Sequence, residues 1–511
     1  MTGCGRMPRG DILTRKRISI RRRSGKIGFM GKGVRVPERR KSEIASSLSA
    51  RLDDDSLVLD SQALEAYRDD AIPVPSILRR IYSKRPEAVV RPDSGELVAD
   101  ILDKCLEEKT PATPRAAGTA GLGGSVPVRG GVVVDLTGLS SVADIDRNRM
   151  TVKVGAGCTW KALEDQLKSE GLGLMAYPSS AALSTVGGWL STGGLGVGTL
   201  ASGSFHRHIK SMEVAVPSGI LIDAGEGCGR YSMRSFSGTE GQAGIVTSAT
   251  FPVGGLPEKR SCVILHLKRP EDGCGLFEFI SDMEHPPHLV KMVDRNLAAM
   301  MAPRWNLGER NSAFIIVAGR GDAARVKEME GAVKAEAASA GLEVDCLGDA
   351  GGPWDAYFSH LDPGGAQSIG LAGEVIVGTD RLAPLIGLFR PLAERESLMC
   401  EYTLAERGLV LARAFSAGRT AGRMQRDVTT TAKTVSLAAG LGGWPYGLGI
   451  WNSPHCRLAL GEYYRNFRVI KRETDRIGIL NPGKFFRITT NHGIPVPGWL
   501  FGIGLRLAGG T

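Results

Sequence analysis

The stretch from Tyr177 to Gly219 limits the fold of this chain more than any other segment. It holds paired glycines at Gly187-Gly188 and Gly193-Gly194, with serine and threonine around them, and is too glycine-rich to be helix or strand throughout. Ordering a long loop of this kind forfeits much backbone entropy, which a large bound ligand offsets. Regular structure flanks it. Thr159 to Gly171 reads as a helix with Trp160, Leu163 and Leu167 on one face and Gly171 as its stop. Met212–Val216 and Leu221-Ile222 alternate around Pro217-Ser218-Gly219 as a hairpin.

Two further loops of small residues share this part of the chain. The strand Ala88–Val90 and a helix beginning at the N-cap Ser94, with apolar residues at 97, 98, 101, 102, 105 and 106, precede the loop Thr113–Pro127. The strands Gly131–Leu136 and Met150–Val154 follow it. Phe236–Gly244 is the third loop, feeding a strand from Ile245 to Phe251. Consecutive N–H groups uncovered by side chains form a concavity for phosphate oxygens, so the first loop is a candidate diphosphate site. No GxGxxG opens a strand–helix unit and no GxxxxGK[ST] is present, which leaves out the Rossmann fingerprint and the P-loop.

The 511 residues suffice for two or three domains. The net charge of +10 would suggest a nucleic-acid partner, but residues 1–51 alone hold 15 Lys/Arg against three Asp/Glu, a net of +12 that leaves −2 for all the rest. The folded part is therefore nearly neutral, and nucleic acid is disfavoured as a partner. Residues 1–51 are expected to be a disordered basic leader. The nine cysteines show no CxxC pairing, so reduced thiols and no metal site are expected. No run of 18 apolar residues occurs, and the protein is expected to be cytoplasmic. The apolar, proline-broken tail 491–511 offers a peripheral membrane contact, a redox-partner surface, or packing on the chain's own core.

The three loops, in this order, resemble the FAD-binding domain of the vanillyl-alcohol oxidase and p-cresol methylhydroxylase family, within it the branch of glycolate oxidase subunits and D-lactate dehydrogenases. The resemblance spans about residues 85–257 and returns at Ile477–Lys484. It implies an α+β fold: a two-subdomain FAD-binding domain of the p-cresol methylhydroxylase type (52–257, core 85–257), an α+β cap with an antiparallel sheet (258–440), and a C-terminal return to the FAD domain (441–490). Within the cap, Ser261–Leu267 and Ala313–Ala318 read as strands and Ala323–Ala340 as a helix. The resemblance puts Pro114, Arg115, Ala116, Ala117, Gly118 and Thr119 in the pyrophosphate loop. Ser184, Thr185, Gly187, Gly188, Ser191, Thr192, Gly193 and Gly194 fall in the second loop, and Gly238, Glu240, Gly244, Ile245 and Val246 lie against flavin and adenine. Asn481 and Lys484 complete the FAD set from the C-terminal return. Covalent members of the family carry a His where this chain has Thr119, and residues 178–203 contain no Cys, so the FAD is expected to be non-covalent.

The implied activity is oxidation of a 2-hydroxy acid such as D-lactate or glycolate, or of a related alcohol. An external acceptor (a protein, a quinone or oxygen) would take the electrons. A sugar lactone or ether-lipid precursor is the alternative substrate, and a nucleic-acid-binding protein using the basic leader is the non-enzymatic alternative. The chain departs from the branch at one place that matters. Trp444–Gly449 stands where a GEHGIG-like motif is expected, putting Tyr446 in the position of the base His, and the metal-binding HxGDGN motif is missing. The candidate catalytic residues are accordingly Tyr446 and His455. His206 and His208 follow the second loop, and Arg407, Arg413 and Arg419 are candidates to clamp a carboxylate.

Overall fold

The computed structural model describes residues 38–508 apart from 51, 53–55, 226, 306–311, 348–368 and 419. Three larger sheets organise them, with a fourth of only two short strands. The first has the strand order Leu57–Val58, Ala88–Val90, Val132–Asp135, Ala112–Arg115, and its last three strands are parallel. Helix Gly95–Glu107 supplies the crossover. The Ser94 hydroxyl caps it by accepting from Leu97 N at 3.4 Å, and its apolar stripe Val98, Ile101, Leu102 and Cys105 is buried. In such a sheet, ligands bind beyond the carboxyl ends of the strands, and that is where the loop after Arg115 begins.

The second sheet, in the order Val142–Asp146, Thr151–Gly155, Ile245–Pro252, Ser211–Val216, Ile220–Gly225, is antiparallel and includes the hairpin expected around Gly219. The long glycine-rich stretch is less irregular than its composition suggests. It contains the short helices Val186–Ser191, Thr199–Ser202 and Phe205–His208. The first forms despite two glycines because the Thr185 hydroxyl accepts from Gly188 N at 3.2 Å.

The third sheet has eight strands and covers the loops. Its two faces part along each strand, as the pleat requires. Val263, Leu265, Val290, Ile315 and Val317 pack under helices Cys274–Asp282, Ala323–Ser339 and Leu382–Glu396. Ile264, Leu289, Phe314 and Ile316 face the other way, into the core that holds Trp160 and Trp189 beneath the second loop. After helix Ala421–Gly440 and the edge strand Trp444–Pro445, the chain returns to the first sheet, where Leu480 bridges Ala112.

One expectation changes, and one choice of alternatives is narrowed. The basic leader is not unstructured throughout: Glu38–Ser49 is helical, with Ile44 and Leu48 buried against the cluster that includes Leu102. Its cationic residues conceal a two-residue apolar stripe at i, i+4; residues 1–37 lie outside the described set. The tail also forms a helix, Gly498–Ala508, which buries Phe501 and Leu505 beside Tyr82 and Trp451 while exposing its opposite side. Among the described residues no helix is long and apolar enough to cross a membrane.

Candidate active site and cofactor cleft

A cleft enclosing about 1800 Å³, mouth included, runs between the first loop, the second loop and the third sheet. Pro114, Ala116, Ala117, Gly118, Thr119, Ser125, Ser184, Thr185, Gly187, Gly188, Ser191, Thr192, Ile245 and Val246 line it. The structure thus brings most of the sequence-predicted cofactor residues to one surface. The first loop is built to receive an anion. Among the described residues no protein hydrogen bond uses the N–H of Ala116, Ala117, Gly118, Thr119 or Ala120. These donors border the cleft, and a diphosphate satisfies such a row without any side-chain cation.

The second loop faces the first across a narrow gap. A Cβ at Gly188 would stand 3.3 Å from Ala116 Cβ and 3.1 Å from Thr185 Oγ1. Gly188→Val is expected to fill the gap between the loops. The variant should fold, with a melting curve close to wild type, yet copurify with little or no FAD.

Several predicted residues do something other than line the cleft. Lys484 is buried, and its ammonium donates to the carbonyls of Gly123 (3.1 Å), Gly124 (2.7 Å) and Val126 (2.7 Å). Asn481, in left-handed backbone at φ 44°, donates its amide to Gly124 O and Glu240 O. Both therefore tie the loops together from behind rather than reaching a ligand. Arg115 turns back to Asp69 O and stacks over Tyr67. Glu240 borders the cleft, but its carboxylate accepts from Leu448 N and Gly449 N, both at 2.8 Å. Asp70 accepts from Gly123 N at 2.6 Å, and burial lifts its pKa to about 6. Gly194 and Gly244 are packing positions, where a Cβ would strike Phe205 or Val214. Gly193 and Gly238 border a neighbouring cavity that shares Thr192, Leu195, Glu240 and Tyr446 with the cleft.

The floor under the second loop is aromatic. Trp160 meets Trp189 and Phe205 edge-on at 5.0 Å each, and Trp189 Nε1 donates to Leu195 O at 3.2 Å. These contacts hold the loop in place where its glycines cannot.

The third sheet supplies the remaining wall; it brings the expected Arg413 to the cleft, and beside it a carboxylate, Glu374, that sequence reasoning missed. Glu374 pairs across strands with Arg413, and Arg413 with Glu401. Glu401 accepts from the buried Lys291 at 2.7 Å and meets Arg413 at 2.5 Å, while Arg413 donates to Ser179 of the second loop at 3.0 Å. Only Glu374 and Arg413 of this row line the cleft. Withdrawal from water, with Glu401 and Glu240 adding to it and Arg413 opposing it, pushes the Glu374 carboxyl up to about 7. The signal available in sequence was a single carboxylate inside the otherwise apolar run Ile369–Gly378.

Tyr446 does line the cleft, but as a poor base: its oxygen accepts from Leu195 N at 3.0 Å, and burial raises the phenol to about 12. His455 is not brought to the cleft at all. It ends the turn Ser453–His455, and burial lowers its pKa. His206 stands in the neighbouring cavity, bonded to Gly193 O and Ser204 Oγ. His208 is in neither cavity. Arg407 is spent on the carbonyls of Ser281 and Glu284, and Arg419 lies outside the described residues.

Free loop amides, glycines opposed across a cleft and a charged cap wall define a flavin-dinucleotide site, and the residues present fit FAD. Comparison with known proteins agrees. Residues 86–225 match the model of the FAD binding domain family. Glycolate oxidase subunit GlcD of Bacillus subtilis is 24% identical over 79% of this chain and 90% of its own length. A D-lactate dehydrogenase of Archaeoglobus fulgidus is 26% identical over 83% of this chain and 96% of its own length. Among solved structures, p-cresol methylhydroxylase with substrate bound superposes with a TM-score of 0.74 at 16% identity, covering 90% of this chain and 98% of that one. Alkyldihydroxyacetonephosphate synthase gives 0.68 at 20% identity, with 86% of each chain covered. The chain is thus an FAD-dependent oxidoreductase that carries an FAD binding domain over residues 86–225, is similar in sequence to glycolate oxidase subunits and D-lactate dehydrogenases, and shares its fold with p-cresol methylhydroxylase.

Proposed function

We propose that the protein oxidises a 2-hydroxy acid at its CH–OH carbon, with FAD held non-covalently and with Glu374 and Arg413 acting on the substrate. The observation that carries this is the cross-strand pair Glu374–Arg413 on the face of the cap sheet that lines the FAD cleft. FAD, which the first and second loops would hold, would supply the acceptor for the hydride that leaves the substrate carbon. Glu374 takes the hydroxyl proton, a task suited to a carboxylate whose pKa stands near neutrality. The Arg413 guanidinium supplies the positive charge for the substrate carboxylate, itself oriented by Ser179 and Glu401. Tyr446, a neutral phenol fixed on Leu195 N, positions the substrate and excludes water.

Non-covalent binding is supported by Thr119 in the first loop and by the absence of Cys from residues 178–203. The electrons leave to an external acceptor, and the protein works in the cytoplasm. A sugar lactone would leave Arg413 without a carboxylate to meet, which favours the hydroxy-acid reading.

Purified protein should be yellow, and acid or heat should release intact FAD into the supernatant; colour that stays with the precipitated polypeptide would mean a covalent link. Arg413→Lys keeps the charge but loses the guanidinium's planar fork. It is expected to raise KM for the hydroxy acid by roughly ten- to a hundredfold with a smaller change in kcat, as steady-state kinetics at saturating acceptor would show.

A further inference from the structure

The geometry points to a docking surface for an anionic lipid bilayer, formed by helices Ser76–Tyr82 and Gly498–Ala508 with the turn between Thr489 and Pro495. The two helices are fixed to one another. Asn491 N donates to Ile81 O at 2.6 Å, Asn491 Nδ2 donates to Arg80 O at 2.9 Å, and Tyr82 meets Phe501 edge-on at 5.2 Å. With their inner sides buried, they expose Ile77, Ile81, Ile494, Trp499, Leu500 and Ile503, of which Trp499 is 70% and Ile494 62% exposed. Single exposed apolar residues need no explanation, but five on two joined helices and a sixth on the turn between them do. An indole and branched aliphatics presented together suit the boundary between headgroups and acyl chains.

Charge selects the occupant. Segments 76–85 and 485–505 contain Arg79, Arg80, Lys84, Arg85 and Arg487 and not one Asp or Glu. Arg79 is held by Asp69 and Glu65, and Arg80, Arg85 and Arg487 are exposed. Arg129 lies against Gly493 and near Arg487, so cations gather here despite their mutual repulsion. A second copy of the chain docking face to face would set these cations against one another, while an anionic bilayer offers both the negative charge and the apolar layer. The helix Gly498–Ala508 has 11 residues, too few to span a bilayer, so the contact is peripheral. This surface does not depend on the substrate assigned above.

The test is cosedimentation of the full-length, FAD-loaded protein with vesicles of phosphatidylcholine alone or mixed with phosphatidylglycerol. Binding is expected to the mixed vesicles and to fall on adding salt. W499S/I503S and, separately, R80Q/R487Q should each weaken it by about tenfold or more while FAD content and melting temperature stay unchanged. Brominated lipid should quench part of the wild-type tryptophan emission, and W499F should lose that quenching. Equal binding by wild type and both variants would transfer the interaction to the basic segment before residue 38 and overturn the proposal. So would no binding at low salt, or light scattering that finds a dimer which W499S/I503S separates.

Discussion

Lys484→Met is expected to yield a colourless protein that unfolds at least about 3 kcal/mol more easily than wild type. The ammonium donates to three carbonyls of the first loop, and Glu240 and Asp70 are its counter-charges. Burial makes this lysine costly, pulling its pKa down to about 7. That cost is present below pH 7 and lifts as pH rises from about 7 toward the unfolded value of 10.5, since over that range the unfolded chain binds more protons. The thioether removes the cost but takes from three loop carbonyls the donor they share and leaves the buried Glu240 carboxylate without its cation, while Asp70 keeps Arg115. Breaking one side of such a group outweighs the relief, typically by about 3–5 kcal/mol. Because the same loop carries the row of free amides, FAD should be lost with the stability. The FAD-to-protein absorbance ratio and a urea titration read the two effects separately; a yellow variant with a wild-type midpoint would remove Lys484 from this role.

Glu374→Gln is expected to keep its FAD and lose about 10²- to 10⁴-fold in kcat. The amide matches the carboxylate in shape, so packing against Gly447 and Arg413 is preserved while the proton acceptor is gone. The pH dependence gives the sign. Glu374 must be ionised to act, so wild-type kcat/KM should rise with pH and level off above about 7. A bound substrate carboxylate is one more negative charge near Glu374 and raises its pKa further. The acid limb of kcat should therefore lie at higher pH than that of kcat/KM. Both limbs should vanish in Glu374→Gln, and a variant that keeps wild-type rates would exclude the carboxylate as base.

Local chemistry made part of this site legible from sequence and topology hid the rest. The three loops stood out because serial glycine and small residues have few uses apart from close approach to backbone or ligand, and Gly188 against Ala116 is that use. The short helix Val186–Ser191 was hidden because its glycines mask the cap that Thr185 provides. Lys484 was expected among the FAD-binding residues, and the structure spends its ammonium on the carbonyls of the first loop. Its carbonyl partners lie about 360 residues away in sequence, and no spacing rule distinguishes a cation that binds phosphate from one that binds the loop around it. Glu374 and Arg413 become neighbours only through the register of two antiparallel strands. Tyr446 was picked out as standing in the position of the base His, yet its depth of burial, which pushes the phenol up to about 12, is a tertiary property.

Anaerobic rapid mixing of the purified, FAD-loaded protein with a panel of 2-hydroxy acids, including D-lactate and glycolate, tests the central claim most directly. At least one hydroxy acid should bleach the flavin absorbance in a single turnover, faster as pH rises through about 7, and the bleaching should be slowed at least about a hundredfold by Glu374→Gln. Flavin that stays oxidised with every hydroxy acid but bleaches with a sugar lactone, or bleaches equally fast in the Glu374→Gln variant, would contradict it.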